Sequence, residues 1–290
     1  MPRSIEIFLC YAREDEALRQ GLEKHLRVLR RQGIINLWHD RSISAGTEWE
    51  REIDNHLNTA RIILLLISPD FLDSDYCYSI EMKRAMERHE RGEACVIPII
   101  LRPVYWHKTP FGKLQALPTD GKPIVSSKWF TQDEALFDAA EGIRTAVEDI
   151  VAKEEAKQRV DKGNTLYDQQ QYDKAISAYE QALQYDPKCF QAYHNKGITL
   201  TTLCKYDDAI ATFEQALRIK PNEAETSKAM GELLIHLKRY KEASQVFERA
   251  LQANPDDDLK KRIKALLDAM NETSKAQQLY ARTEQLNYQT

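Results

Sequence analysis

The chain has no apolar run of the roughly 18–20 residues that a membrane-spanning helix needs, and its 290 residues carry a net charge of only −4. The first absence argues against a membrane partner. The second removes any overall pull toward nucleic acid or anionic lipid. Cysteine is scarce and unpatterned. Cys10, Cys77, Cys95, Cys189 and Cys204 are odd in number and form no CxxC pair, which argues against a disulfide framework and makes a reducing cytoplasm the expected compartment. The seven histidines show no ligand spacing with cysteine or acid, so no metal is expected. There is no glycine-rich phosphate loop and no Ser-His-Asp order. The start, MPRSIEIFLCY, has no signal-peptide cleavage pattern.

What is present is a chain 42% hydrophobic and 30% charged, long enough to suggest two domains. The first half alternates short apolar runs with helical patterns. Ile5 to Cys10 reads as a strand. Leu18, Leu22, Leu26 and Leu29 follow at helical spacing, and Gly33 ends that helix. Ile34 to Trp38 is a second strand, and His39 to Thr47 is a loop by composition. A helix with Ile53 and Leu57 leads to Arg61–Ile67, an unbroken apolar run of the kind buried in parallel sheets. Ser68-Pro69 stops that strand and presets a helix, with Ser74 a second candidate cap. Cys95 to Leu101 is a fourth strand, Pro123-Ile124-Val125 a weak fifth, and Asp133 to Val151 a helix. This alternation predicts an α/β domain with a parallel sheet and helices on both faces. It leaves the strand order open.

The segments IFLCYAREDE, LWHDRSISAGTEW, IILLLISPDFLDSDYCYSIEM and CVIPIIL resemble, in order and spacing, a Toll/interleukin-1 receptor (TIR) domain of the bacterial type over roughly residues 3–151. The resemblance implies a flavodoxin-like five-stranded sheet of order 2-1-3-4-5 and a mobile loop at about His39 to Thr47. It also implies hydrolysis or cyclisation of NAD+, as in many members, with the catalytic glutamate falling on Glu81. Members often place a tryptophan four residues before that glutamate. Here Cys77 stands there, with Tyr76 one residue earlier.

The sheet order would bring the carboxyl ends of strands 1 and 3 together around one crevice. The expected substrate-binding residues are Tyr11 and Arg13 after strand 1, Asp40 and Arg41 after strand 2, Ser68 after strand 3, and Tyr76 and Cys77 before Glu81. Trp49 is either a pocket wall or a core residue. One carboxylate suffices for this chemistry. Nicotinamide leaves as a neutral pyridine and needs no proton, so the paired carboxylates of glycosidases are not required. What needs stabilising is an oxocarbenium-like ribose, and a fixed negative charge beside it does that. NAD+ is then a substrate, and no cofactor is expected.

The second half repeats itself. Gly163, Gly197 and Gly231 share one period with Tyr172, Tyr206 and Tyr240, with Ala175, Ala209 and Ala243, and with Pro187, Pro221 and Pro255. Tyr179, Phe213 and Phe247 hold the matching aromatic position. The 34-residue period resembles three tetratricopeptide (TPR) repeats, each a helix pair in a solenoid. The expected domains are 1–151 (TIR), 152–255 (repeats) and 256–290 (a capping helix at Asp256 to Met270, then a tail of undecided fold from 271). By repeat position Lys157, Asn164, Gln191, His194, Lys228 and Glu232 face a groove for a protein partner. They lack the paired basic and amide clamp used for acidic peptide tails. The joint at 151–157 is strongly helix-favouring, so continuous helix is expected there.

Two functions fit. One is a TIR-family NAD+ glycohydrolase or cyclase, activated by homo-oligomeric, filament-like assembly through the 39–47 loop and serving antiphage signalling. The other is a non-catalytic TIR/TPR scaffold.

Overall fold

A computed structural model of the protein describes residues 4–40, 48–74, 80–252, 257–269 and 272. The chain divides into two compact units, Met1–Val151 and Ala152–Thr290. The first unit contains β1 (Ile5–Tyr11), α1 (Glu16–Arg31), β2 (Ile35–Trp38), α2 (Trp49–Thr59), β3 (Ile62–Ile67), α3 (Pro69–Asp73), α4 (Met82–Glu90) and β4 (Cys95–Ile100). All strand pairs are parallel, in the order β2-β1-β3-β4.

Strand alternation divides the core in two. Ile7, Leu9, Leu64 and Leu66 pack against Leu22 and Leu26 of α1 and against Leu136 and Ile143 further along the chain. Phe8, Cys10, Ile63 and Leu65 face the other way, onto Ile53 and Leu57 of α2 and Met82 and Ala85 of α4. Every residue of β3 is buried, which is why its sequence is continuously apolar instead of alternating.

The expected fifth strand does not form among the described residues; the sheet has four. Its place beside β4 is taken by two fragments. Leu117 exchanges backbone hydrogen bonds with Pro98 and Ile100, each at 2.8 Å. Further on, the N–H groups of Ile124 and Val125 donate to Ile100 and Leu101, each at 2.9 Å. Pro118 and Pro123 have no N–H to give a ladder, and a 3-10 turn at Thr119–Gly121 separates the fragments. The expected 39–47 loop lies, after Asp40, outside the described residues.

The helix expected at 133–151 is longer. α5 runs Gln132–Asp168 and continues through the 151–157 joint. In the second unit its last turns pair with α6 (Tyr172–Tyr185), and α7 (Phe190–Thr202) pairs with α8 (Tyr206–Ile219), as α9 (Ala224–His236) does with α10 (Tyr240–Gln252). Residues 257–269 are helical, and Leu259 and Ile263 close the core around Phe247 and Ala250.

The repeated residues have a common explanation. A Cβ on Gly163, Gly197 or Gly231 would lie 2.4, 2.6 or 2.5 Å from the ring of Tyr179, Phe213 or Phe247. Each first helix therefore touches its partner's aromatic through bare backbone. Each first helix also ends on a left-handed residue, Gln170, Cys204 or Lys238, with φ of 61°, 58° and 60°. The following N–H groups, of Gln171, Lys205 and Arg239, reach back to the carbonyls of Leu166, Leu200 and Leu234 at 2.8–2.9 Å. This is the Schellman closure of a helix.

Candidate functional site

The order β2-β1-β3 places the point where chain direction reverses between β1 and β3, and crevices in α/β sheets open there. A cavity of about 340 Å³ lies at that point. It is lined by Tyr11 at the end of β1, Ala12, Arg13 and Glu14 after it, Asp40 after β2, Asp70, Asp73 and Ser74 after β3, and Glu81. Its volume is near the lower end of the roughly 300–1,000 Å³ usual for small-molecule sites.

Glu81 stands immediately before α4 and is only 5% exposed. A buried carboxylate is costly unless it is hydrogen-bonded, and the Cys10 thiol donates to Glu81 Oε2. Tyr11 ends β1 with its ring buried. The His39 ring meets it edge-on at 6.1 Å, and the Arg19 guanidinium lies 5.2 Å from its centroid, a cation–π contact. Arg19 is itself buried. Glu16 holds it at 2.7 Å, and Glu23 holds it from the next turn. Burial, reinforced by the Asp40 charge, pushes the Tyr11 phenol well above its usual pKa, so it stays a neutral donor. Burial and the nearby Arg19 charge lower that of His39. The Arg19 hydrogen bond holds Glu16 down at about 2.

Ser68 is fully buried and absent from the cavity lining. Its Oγ accepts the Phe71 N–H at 3.0 Å as the α3 cap and donates to Asp15. Arg102, just past β4, donates through Nε to Asp15 Oδ1 at 2.9 Å and also pairs with Asp70. Burial raises the pKa of Asp15, and the Ser68 and Arg102 hydrogen bonds oppose it. This network ties together the ends of β1, β3 and β4. Ser68, expected at the substrate, sits in that support.

Of the other expected residues, Tyr11, Arg13, Asp40 and Glu81 are brought to the one cavity. Arg41, Tyr76 and Cys77 lie outside the described residues, as does the side chain of Trp49, the first residue of α2. Asp70, Asp73 and Ser74 fall within the 68–81 segment expected on one side of the cleft, though none was named as a binding residue, and Glu14 was not expected there. Among the described residues, no cluster of histidine, cysteine or acid could hold a metal.

The family model described as "TIR domain" matches residues 7–136, and two described as "Tetratricopeptide repeat" match 160–224 and 200–267. The chain is a TIR-domain protein with C-terminal TPR repeats. A curated relative, the uncharacterized protein y4lF of Sinorhizobium fredii (strain NBRC 101917 / NGR234), is 58% identical over 140 residues. The match covers 48% of this chain and 43% of that protein, so the chain spans less than half the length of this relative. Solved structures similar to it include the first TPR of Spaghetti (RPAP3) bound to an HSP90 peptide. Identity there is 21%, with 42% of this chain and 94% of that one covered and a TM-score of 0.39. The Arabidopsis OM64 TPR domain is 24% identical, covering 42% and 98%, with a TM-score of 0.38.

The TPR unit has its own cavity, about 540 Å³, between α7, α8 and α9. Of the expected groove residues, His194, Lys228 and Glu232 line it. The Lys228 ammonium lies between Glu225 at 3.7 Å and Glu232 at 3.9 Å. His194 Nδ1 is 2.8 Å from the Thr226 hydroxyl. Asn164 instead serves the fold, accepting from Tyr179 and Asn195 at 2.9 and 2.7 Å. Among the described residues no helix is long and apolar enough to cross a membrane.

Proposed function

We propose that the TIR domain cleaves the nicotinamide–ribose bond of NAD+, as enzymes of this family do, with Glu81 as the catalytic carboxylate. The observation that carries the reading is the burial of Glu81 in the wall of a cavity at the β1/β3 switch point. A carboxylate held there would face a ribose whose anomeric carbon becomes cationic as neutral nicotinamide departs. Tyr11, in the same lining with its phenol bonded to Glu16, would form part of the pocket wall. Arg13 is the lining's guanidinium and suits the diphosphate. Water or a substrate hydroxyl or ring nitrogen then captures the cation, giving ADP-ribose or a cyclic isomer.

On this reading the enzyme acts in the cytoplasm in antiphage signalling. Self-association through the TIR domain raises its activity, and the TPR cavity takes a protein partner. The test is incubation of the purified chain with NAD+ over a hundredfold range of protein concentration, following nicotinamide release. Release that rises more than proportionally with concentration supports both cleavage and assembly. Release strictly proportional to concentration, with a monomeric mass throughout, rejects assembly. No release at any concentration rejects the enzyme and leaves the scaffold reading, which the TPR cavity and its buried Lys228 favour.

A further inference from the structure

We propose that Cys10 is a positioning residue for Glu81: its thiol fixes the carboxylate in the cleft wall and favours the ionised form. The two residues are far apart in sequence and come together for a structural reason. Phe8 and Cys10 share the face of β1 turned toward α2 and α4, whereas Leu9 and Tyr11 turn to the opposite face. α4 is packed onto that face through Met82 and Ala85, so the residue just before it, Glu81, falls over the end of β1. The Cys10 thiol there donates to Glu81 Oε2. Cys10 is 1% exposed and Glu81 5%, so water competes little for this bond.

A hydrogen bond to the charged form of an acid lowers its pKa, and one to an ionised acceptor is stronger than one between neutral groups. The thiol also fixes one carboxylate oxygen, leaving the orientation of the other defined relative to the cavity. A cysteine serving merely as a small apolar core residue would do neither. The two roles therefore predict different responses to alanine and serine.

The inference rests on Glu81 being the group on which the cleft's chemistry turns, and its test does not require turnover. Cys10→Ala, Cys10→Ser and wild type are compared by carbon NMR titration of the Glu81 side-chain carboxyl, assigned with Glu81→Gln. Removing the donor raises the Glu81 pKa by about one unit in Cys10→Ala, and Cys10→Ser restores at least half of it. In the same proteins the acid limb of kcat/KM for NAD+ moves to higher pH in Cys10→Ala. There kcat falls about tenfold and KM changes less than twofold, with recovery in Cys10→Ser. An independent readout needs no alanine variant. The Cys10 S–H stretch, isolated by subtracting the Cys10→Ser infrared spectrum, is lowered by donation to a carboxylate and shifts upward in Glu81→Gln.

An unmoved Glu81 titration in Cys10→Ala, or an unmoved S–H band in Glu81→Gln, overturns the proposal. If NAD+ is never cleaved but the titration and the band both move, the Cys10 assignment stands and the NAD+ reading falls. If Glu81→Gln abolishes cleavage while neither spectroscopic signal moves, the reverse holds.

Discussion

The two units bury their apolar side chains over different sequence distances. In the TPR unit the repeated close contact joins the two helices of one pair, as when the Phe213 ring lies against bare Gly197. In the TIR unit the cleft draws on residues 9, 11–14, 40, 70, 73, 74 and 81. These meet because three parallel strands end side by side. The TPR core is a set of similar local solutions, each depending mainly on adjacent helices. The cleft exists once and depends on the whole sheet. A substitution should therefore act locally in the second unit, whereas a substitution at the cleft should act on the chemistry.

The largest expected effect is in the cleft. Glu81→Gln keeps shape and removes charge, so nicotinamide release from NAD+ should fall by about 10²–10³. The circular dichroism spectrum and melting temperature should change little, because the Cys10 thiol still finds an oxygen acceptor. Turnover within a few-fold of wild type would remove Glu81 from the chemistry.

Next in size is a glycine–aromatic contact of the repeats. Gly197→Ala places a methyl 2.6 Å from the Phe213 ring, and overpacking of this kind costs about 1–3 kcal/mol. Chemical denaturation should show this loss in the TPR unit, with NAD+ cleavage per folded molecule unchanged. Gly197→Ala combined with Phe213→Leu should recover part of it. Additive losses in the double variant would show that the two positions do not compete for the same space.

These two positions also show what was legible in sequence. Gly197 and Phe213 could be read because the same demand is written three times at one interval, and chance does not repeat. Glu81 was singled out through the family motif, and the strand order implied by that resemblance, which alternation alone left open, put Tyr11 and Arg13 in the same cleft, where they line one cavity with it. The support beneath was not legible. Ser68 was expected at the substrate, yet it caps α3 and donates to Asp15. Nothing in a serine after a strand tells whether its hydroxyl faces the cavity or the turn. Cys10 escaped because a buried cysteine in an apolar strand looks like any other core residue. The fifth strand was overread because Ile124 and Val125 have strand character, while the prolines beside them deny the ladder its donors.

A third test concerns the charge of the cleft. Among its described lining residues Glu14, Asp40, Asp70, Asp73 and Glu81 are acids and Arg13 is the one guanidinium. An added 2′-phosphate should be disfavoured, so kcat/KM for NADP+ should lie about tenfold below that for NAD+, equivalent to ~1.4 kcal/mol. Asp73→Asn should narrow the gap and Arg13→Gln should widen it. Equal use of both dinucleotides by wild type would show that the acids do not sense the substrate's phosphates.

The smallest effect returns to the repeats and can be of either sign. Lys238 is exposed and holds a left-handed backbone at φ 60°, a conformation that costs a non-glycine residue about 1 kcal/mol. Its N–H reaches the Ile235 carbonyl at 2.9 Å, and the next N–H closes the end of α9. The conformation is therefore imposed by the helix end, and the lysine side chain contributes little to it. Lys238→Gly should stabilise the unit by about 0.5–1 kcal/mol, glycine's greater unfolded-state entropy offsetting part of the relieved strain. Lys238→Val, branched where the left-handed region crowds Cβ, should destabilise it. Gln170→Gly and Cys204→Gly should follow Lys238→Gly, because all three residues close equivalent helices. If glycine weakened all three sites, the helix ends would owe their geometry to side-chain contacts, and the equivalence of the repeats would stop at their cores.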